Sequence, residues 1–367
     1  PKQKGLLYAG TEHGIYVSYD DGTSWSSFQK NLPIVPITDL TIKNNSLIVA
    51  TQGRSIWILD DLTVLHQLQP DNRNAQTLLF KPKESYRTKG RGGKSSLTAG
   101  TNLPNGVIVH YFLKNYDAEK DTVELQFQSE DGAVIKTYST KDKKNKLEVK
   151  AGGNEFVWDT RYDGAEKLEG MIFWSASFSG AKAVPGSYKV RLAVNGKEQT
   201  QDFTILPDPR SESSVADMQK QFDFVNEVNQ TVDKAHKAIK NMREIRSKLK
   251  DFVKQNQSDS TATRLAAQAK TIQEDLLEVE KTLYQTQNRS NQDPLNFPIR
   301  LTNKLGHLNR LLTIDDFPPT NQDLAVKEEL TAAVEVAMER YQQLIDSDVA
   351  SFNEVFKKEK RNYLGTD

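Results

Sequence analysis

Two adjacent pairs of acidic residues, Asp20-Asp21 and Asp60-Asp61, are the side chains of this sequence best suited to chemistry. Glycoside hydrolysis uses two carboxylates about 5–10 Å apart, on either side of the scissile bond. Neighbouring residues of a strand point to opposite faces, so neither pair supplies this geometry by itself. We therefore assign no catalytic residue. For Arg54 we expect a structural ion pair with Asp60 or Asp61.

Other reactive side chains are absent or scattered. The chain has no cysteine, which excludes disulfides, thiolate–metal sites and cysteine nucleophiles. Its five histidines are dispersed, and no H-E-x-x-H or G-x-S-x-G pattern is present, so we predict no metal and no cofactor. The 49 basic and 49 acidic residues balance, which argues against nucleic acid as a partner. No apolar run reaches the ~20 residues that a transmembrane helix needs.

The segment from Ser18 to Trp25, SYDDGTSW, matches the Asp-box pattern S-x-D-x-G-x-x-W. The Asp20 carboxylate can accept backbone N–H groups of the turn, and Gly22 permits a positive φ. The ring of Trp25 can bury itself against the sheet. We therefore predict that Ser18, Asp20, Gly22 and Trp25 have a structural role, which is to staple a turn between two strands.

Residues 1–65 carry short runs of strand-forming residues separated by turns such as Asp-Asp-Gly and Asn-Asn. This spacing is typical of a meander of four-stranded β-propeller blades. A propeller closes with about four to eight blades, so we expect residues 1–65 to be the terminal blades of one. The predicted strands are Leu6–Ala9, Gly14–Ser18, Trp25–Phe28, Thr38–Ile42, Ser46–Thr51 and Ser55–Leu59.

The chain resembles the sortilin-like BNR/Asp-box repeat proteins of the Bacteroidetes type. The resemblance rests on the Asp-box, on Ala50–Asp61 (ATQGRSIWILDD), on Gly100–Gly106 and on Pro298–Leu305. It implies that this chain is the C-terminal part of a longer protein whose signal peptide lies upstream. It also implies an extracytoplasmic location, in the periplasm or on the outer surface of a Gram-negative bacterium, and a propeller that binds a protein or glycan ligand. Such proteins are often labelled glycosyl hydrolases, a label that generally rests on the repeat and not on an active site.

Residues 66–102 are a predicted linker, and residues 103–207 have the strand density of an Ig-like β-sandwich. The predicted strands are Val107–Leu113, Val123–Ser129, Ala133–Tyr138, Lys146–Val149, Asn154–Trp158, Ile172–Phe178, Gly186–Val194 and Thr200–Ile205.

Two stretches of the predicted sandwich, Asn154–Asp159 and Val184–Val190, resemble the fibronectin-like sandwich domain of flagellar hook-capping proteins. Trp158 and Trp174 lie in predicted strands whose residues alternate between apolar and polar. We therefore predict that both rings belong to the core and do not serve as platforms for sugar binding.

Residues 211–367 change to a helical period after the boundary Pro207-Asp208-Pro209. Four apolar stripes with steps of three and four residues predict an antiparallel helical bundle whose stripes face sibling helices. A groove for a protein partner is the alternative. The stripes run over residues 225–242, 265–283, 301–312 and 330–344, with breaks at 256–260, 288–298 and 315–320.

The predicted fold is therefore mainly β and then all-α: partial propeller blades, an Ig-like sandwich and a helical bundle. Two functions remain open. In the first, the protein is a non-catalytic recognition or scaffold component, with the propeller for ligands and the sandwich and bundle for assembly with a protein partner. In the second, this chain is the accessory tail of a sialidase-like propeller glycoside hydrolase, whose active site lies upstream.

Overall fold

The structure is a computed structural model that describes residues 3–69, 71–72, 74–88, 103–255 and 263–358. The chain forms two compact units. The first contains the residues up to Thr160 together with Pro185–Leu206, and the second contains Arg161–Val184 together with the residues from Pro207 onward. Sheets precede helices along the chain, as predicted, but residues 161–184 leave the predicted sandwich range and belong to the helical unit.

The first unit begins with two antiparallel sheets of three strands each, in which all six predicted strands are present. Each sheet has three strands among the described residues where the blade prediction expected four. A short helix, α1 (Thr63–Gln67), follows them. The first sheet has the order β1 (Leu7–Thr11), β2 (Gly14–Ser18) and β3 (Ser26–Ser27), and the second has the order β4 (Ile37–Lys43), β5 (Ser46–Thr51) and β6 (Ile56–Leu59).

These two sheets pack face to face, with β1 against β4. Their shared core contains Ile15 from the first sheet and Leu47 and Val49 from the second, closed by Leu32 and Leu62. Alternating apolar residues on facing strands form such a core because every second side chain points to the same side.

Among the residues that the structure describes, eight further strands form the sandwich of the first unit, in two sheets. The first two of them lie within residues 66–102, so the prediction that this whole range is a linker was wrong. The five-stranded sheet has the order β11 (Val134–Ser139), β10 (Val123–Ser129), β13 (Gly186–Val194), β14 (Lys197–Pro207) and β8 (Ser85–Arg87), and the three-stranded sheet has the order β12 (Gly152–Trp158), β9 (Val107–Leu113) and β7 (Thr77–Leu79).

Trp158 is the centre of the sandwich core, as predicted. Its ring is 0% exposed and stacks on Phe127 of the opposite sheet, with centroids 4.5 Å apart. Phe203 and Tyr188 pack edge-on against the same ring. The predicted strand Lys146–Val149 was wrong, since only Lys146 forms an isolated bridge, to Ser139.

The described part of the second unit is built on five α-helices, which carry the predicted apolar stripes on their buried sides. The first of them contacts the next three. The fourth starts at a complete capping box between Thr320 and Asp323, which satisfies two helix N–H donors at once. The helices are α2 (Val215–Gln255), α3 (Thr263–Leu283), α4 (Leu301–Leu312), α5 (Asn321–Leu344) and α6 (Ala350–Lys358), with a 3₁₀ turn at Asp293–Leu295 and a π turn at Ile345–Val349.

Residues 161–184 form an irregular segment on the helices, which we call the docked segment. The predicted strand Ile172–Phe178 was wrong, because this stretch pairs with no strand and its backbone groups bond to helix residues instead. Asn303 bonds both to the N–H of Trp174, at 2.7 Å, and to its carbonyl, at 2.8 Å. The indole of Trp174 is 42% exposed, so its predicted place in a core was also wrong.

Other polar groups of the helical unit hold the docked segment in the same way. The Tyr284 hydroxyl accepts the N–H of Ile172 at 2.9 Å, and the Gly306 carbonyl accepts that of Ser177 at 2.8 Å. A Cβ on Gly306 would lie 2.6 Å from the ring of Phe178, so the close approach of segment and helix requires glycine there. Further bonds join His307 to the Ser175 carbonyl and Asn229 to the Ser179 carbonyl.

His236, fully buried on α2, donates from Nδ1 to the Glu166 carbonyl of the docked segment at 2.5 Å. Its Nε2 has no hydrogen-bond partner within the described part of the chain. Burial lowers the pKa of this histidine, an effect that Arg243 reinforces and that Glu166 and Asp233 oppose. The folded unit therefore holds His236 neutral.

The stability of the helical unit should fall as the pH drops below the ordinary range of histidine. The unfolded chain binds a proton at His236 more readily than the folded chain does. The stabilisation that the neutral histidine contributes is therefore complete above the unfolded pKa and is lost below it, by at most about 1.4 kcal/mol per pH unit. His236→Asn, which keeps a side-chain donor and cannot take up the proton, should reduce this dependence. Urea unfolding followed by helical circular dichroism between about pH 7.5 and about pH 5.5 measures it. His13→Asn, at an exposed histidine of the first unit, is the control; an unchanged slope in His236→Asn would contradict the prediction.

Candidate functional site

The Asp-box residues form a closed set of hydrogen bonds at the turn between β2 and β3. The Ser18 hydroxyl donates to Asp20 at 2.8 Å and accepts the N–H of Gly22 at 2.9 Å. The Asp20 carboxylate also accepts the N–H of Ser24 at 2.8 Å on Oδ1 and the Ser24 hydroxyl at 2.5 Å on Oδ2. Both carboxylate oxygens therefore bond within the turn.

These bonds favour the ionised form of Asp20. The Ser24 hydroxyl, the Ser24 N–H and the Ser18 hydroxyl, in decreasing order, lower the pKa of the Asp20 carboxyl to about 2. A carboxylate that accepts several hydrogen bonds is stabilised in its charged form. Asp20 thus has the environment of a structural acceptor and is fully ionised at neutral pH.

The other two Asp-box positions shape the turn and cover it. Gly22 has φ +88°, which is left-handed backbone that favours glycine. The ring of Trp25 and the side chain of Leu7 both lie beside Gly22, but Trp25 remains 43% exposed. The expectation that Trp25 buries its ring was therefore only partly met.

Arg54 is not joined to the acidic pair that follows it, so the predicted ion pair is not formed. Its guanidinium donates to the Gly53 carbonyl at 3.2 Å. Asp61 instead accepts the Asn45 amide at 2.9 Å and both the N–H and the hydroxyl of Thr63. Asp61 therefore ties the β4–β5 turn to the start of α1, and the backbone carbonyl of Asp60 accepts the Ser46 hydroxyl.

The second sheet exposes isoleucines, beside the polar Asp39 and Thr41, on the face opposite the one that supplies Leu47 and Val49 to the shared core. Thr41, Ile48 and Ile58 are neighbours across its three strands, and Ala50 pairs with Ile56 in the next register. Ile56 is 64% exposed and Ile58 is 57% exposed. This face was not predicted from the sequence, although the unbroken apolar run Ile56-Trp57-Ile58-Leu59 is typical of a strand covered on both sides.

The described residues contain neither a metal-binding cluster nor a membrane-spanning helix. Within the ranges that the structure describes, no group of three or more histidine or acidic side chains could hold a metal ion. None of the helices in this part of the chain combines the length and the apolar character needed to cross a bilayer.

Comparison with known proteins gives no family. No protein-family model matches the chain, and no curated protein matches it. A solved structure named pT26-6p aligns with 94% of this chain at 7% identity and a TM-score of 0.14, and the alignment spans 66% of that structure's own chain. A likeness at this score carries no argument about fold or function.

Asp20→Asn should loosen the turn, because an amide nitrogen cannot replace Oδ2 as the acceptor for the Ser24 hydroxyl. We expect faster hydrogen exchange at the Ser24 amide and earlier thermal unfolding of the first sheets. The folded pKa of Asp20 lies below its unfolded value, so its stabilisation is present above about pH 4 and is lost as the pH falls towards about 2.

Asp21→Asn is the matched control for this prediction, since asparagine tolerates the left-handed φ of +58° at that position. Exchange and unfolding of this variant should follow the wild type. Equal effects of the two substitutions would contradict a specific role for the Asp20 carboxylate.

Proposed function

We propose that this chain is the C-terminal assembly region of a non-catalytic β-propeller protein that acts in recognition or as a scaffold. The observation that carries the proposal is the second sheet, whose strand β6 exposes apolar side chains on the face opposite the shared core. One face packs on the first sheet through Leu47 and Val49, and the other presents Ile56 and Ile58 to solvent. Exposed apolar area of this kind marks a surface that is covered in the functional protein.

Another propeller blade is the occupant that we propose for the exposed face. The first sheet already packs face to face on the opposite side, with strand β1 on β4, and a propeller repeats such stacking around a ring. Continuing this stack would cover the outer face with one more sheet of the same protein. The Asp-box supports the same assignment, because in the resembling family it recurs at the turns of blades.

The bonding of the Asp-box supports a structural and non-catalytic role for its acid. A general acid or nucleophile needs an oxygen directed at the substrate, whereas both oxygens of Asp20 are bonded to Ser18 and Ser24. The resemblance to the sortilin-like proteins supports the remaining part of the proposal, which is an extracytoplasmic location and a protein or glycan ligand bound by the propeller.

Thiol labelling tests whether another sheet covers the second one. The chain has no cysteine, so Ile58→Cys introduces a single thiol on the exposed face. It should react rapidly with a maleimide in the isolated chain and at least about tenfold more slowly in the natural full-length protein, where the proposed blade excludes the reagent.

Ile34→Cys provides the matched control, because Ile34 is 74% exposed and lies outside both sheets. It should react at the same rate in both proteins. Equal labelling of position 58 in the two contexts would refute the stacked blade and, with it, the propeller assignment.

The non-catalytic part of the proposal predicts that the isolated chain hydrolyses no aryl glycoside or sialoside. General acid–base catalysis contributes about 10²–10⁴-fold and requires groups held in register with the substrate. Incubation of the purified chain with a panel of chromogenic glycosides measures this. Turnover that disappears on Asp60→Asn or Asp61→Asn would instead support a glycosidase.

A further inference from the structure

The helical unit contains an open cavity of about 540 Å³ whose walls come from α2, α3, the residues after α3 and the docked segment. Its volume lies within the range of pockets that hold small ligands or side chains. Four cationic side chains line it against two carboxylates, Glu169 and Glu280. The cations are Arg243, Arg246, Lys281 and Arg289.

Glu280 fixes two of these cations in place. Its side chain is 3% exposed, and its two oxygens bond Arg243 Nε at 2.7 Å and Arg246 Nη1 at 2.6 Å. The guanidinium of Arg243 also lies over the ring of Tyr284, 5.5 Å from its centroid. Both arginines are therefore held before any ligand arrives, which lowers the entropy cost of binding.

The bonding leaves cationic charge available at the cavity wall. Glu280 can neutralise only one of its two arginines, and Lys281 pairs with Glu278 at 2.6 Å. Arg289 donates Nη1 to the carbonyls of Thr286 and Asn288, which orient it, and the nearby Asp293 carboxylate offsets its charge in part. Guanidinium groups with unused N–H donors bind carboxylates in a planar, two-point manner.

We propose that this cavity binds the carboxylate of an acidic side chain on a peptide segment of a partner protein. The excess charge is small and Glu169 lies on the wall, which favours a single carboxylate over a phosphate dianion. Polar side chains beside the arginines, Thr286 and Gln287, offer hydrogen bonds to the backbone of such a peptide. The inference concerns the helical unit alone and does not depend on the propeller.

Fluorescence anisotropy of the whole chain with a labelled short polyglutamate peptide tests this, with polyglutamine of equal length as the uncharged probe. The wild type should bind polyglutamate and not polyglutamine. Arg243→Lys keeps the charge but loses the planar fork, and it should weaken binding about tenfold. Arg289→Gln leaves Glu280 and its two arginines unchanged, and it should weaken binding about fivefold.

Arg340→Gln, on an exposed position of α5 outside the cavity, is the matched control and should bind like the wild type. Thermal melting checks that each variant is folded. Equal losses in Arg340→Gln and Arg289→Gln would show unspecific attraction to surface charge and would overturn the proposal. Binding of polyglutamine, or stronger competition by inorganic phosphate than by free glutamate at equal ionic strength, would overturn it as well.

Discussion

The helical unit depends on one constraint: the backbone groups of the docked segment that are turned towards the helices must find hydrogen-bond partners there. Residues 172–178 pair with no strand and, apart from the exposed Trp174, are half-buried against the helices. An unbonded buried N–H or C=O costs about as much as a lost hydrogen bond. Asn229, Asn303 and Tyr284 supply the missing partners, and this explains why long apolar helices carry polar residues on their buried sides.

The regular elements could be predicted from the sequence because their determinants are local. Alternation defines Val107–Leu113 and Val123–Ser129, and steps of three and four residues define the buried sides of α2 and α3. Such periods reflect which face of an element is buried. The Asp-box could be predicted for the same reason, since Ser18, Asp20 and Ser24 bond to one another within a single turn.

Two of the failures have a cause that lies far along the chain. Ile172–Phe178 has the composition of a strand, but its partners lie more than a hundred residues later, on α4 and beside α3. Trp174 is exposed for the same reason: the bonds of its backbone to Asn303 fix the chain and leave the ring outside. The predicted ion pair of Arg54 failed for a local reason, because Asp61 accepts hydrogen bonds from its neighbours Asn45 and Thr63 instead. The spacing of residues along the chain does not show which of several neighbouring donors a carboxylate will bond.

The placement of the docked segment within the chain has a consequence for biosynthesis. Residues 161–184 leave the ribosome before any helix that covers them, and domains generally fold as units in the order of synthesis. Until α2, α3 and α4 are complete, the Phe173 and Phe178 rings and the unbonded backbone beside them have no cover of their own. A nascent or truncated chain that ends near residue 210 would therefore expose apolar surface of the kind that chaperones bind. The helices cover this surface once they have been synthesised.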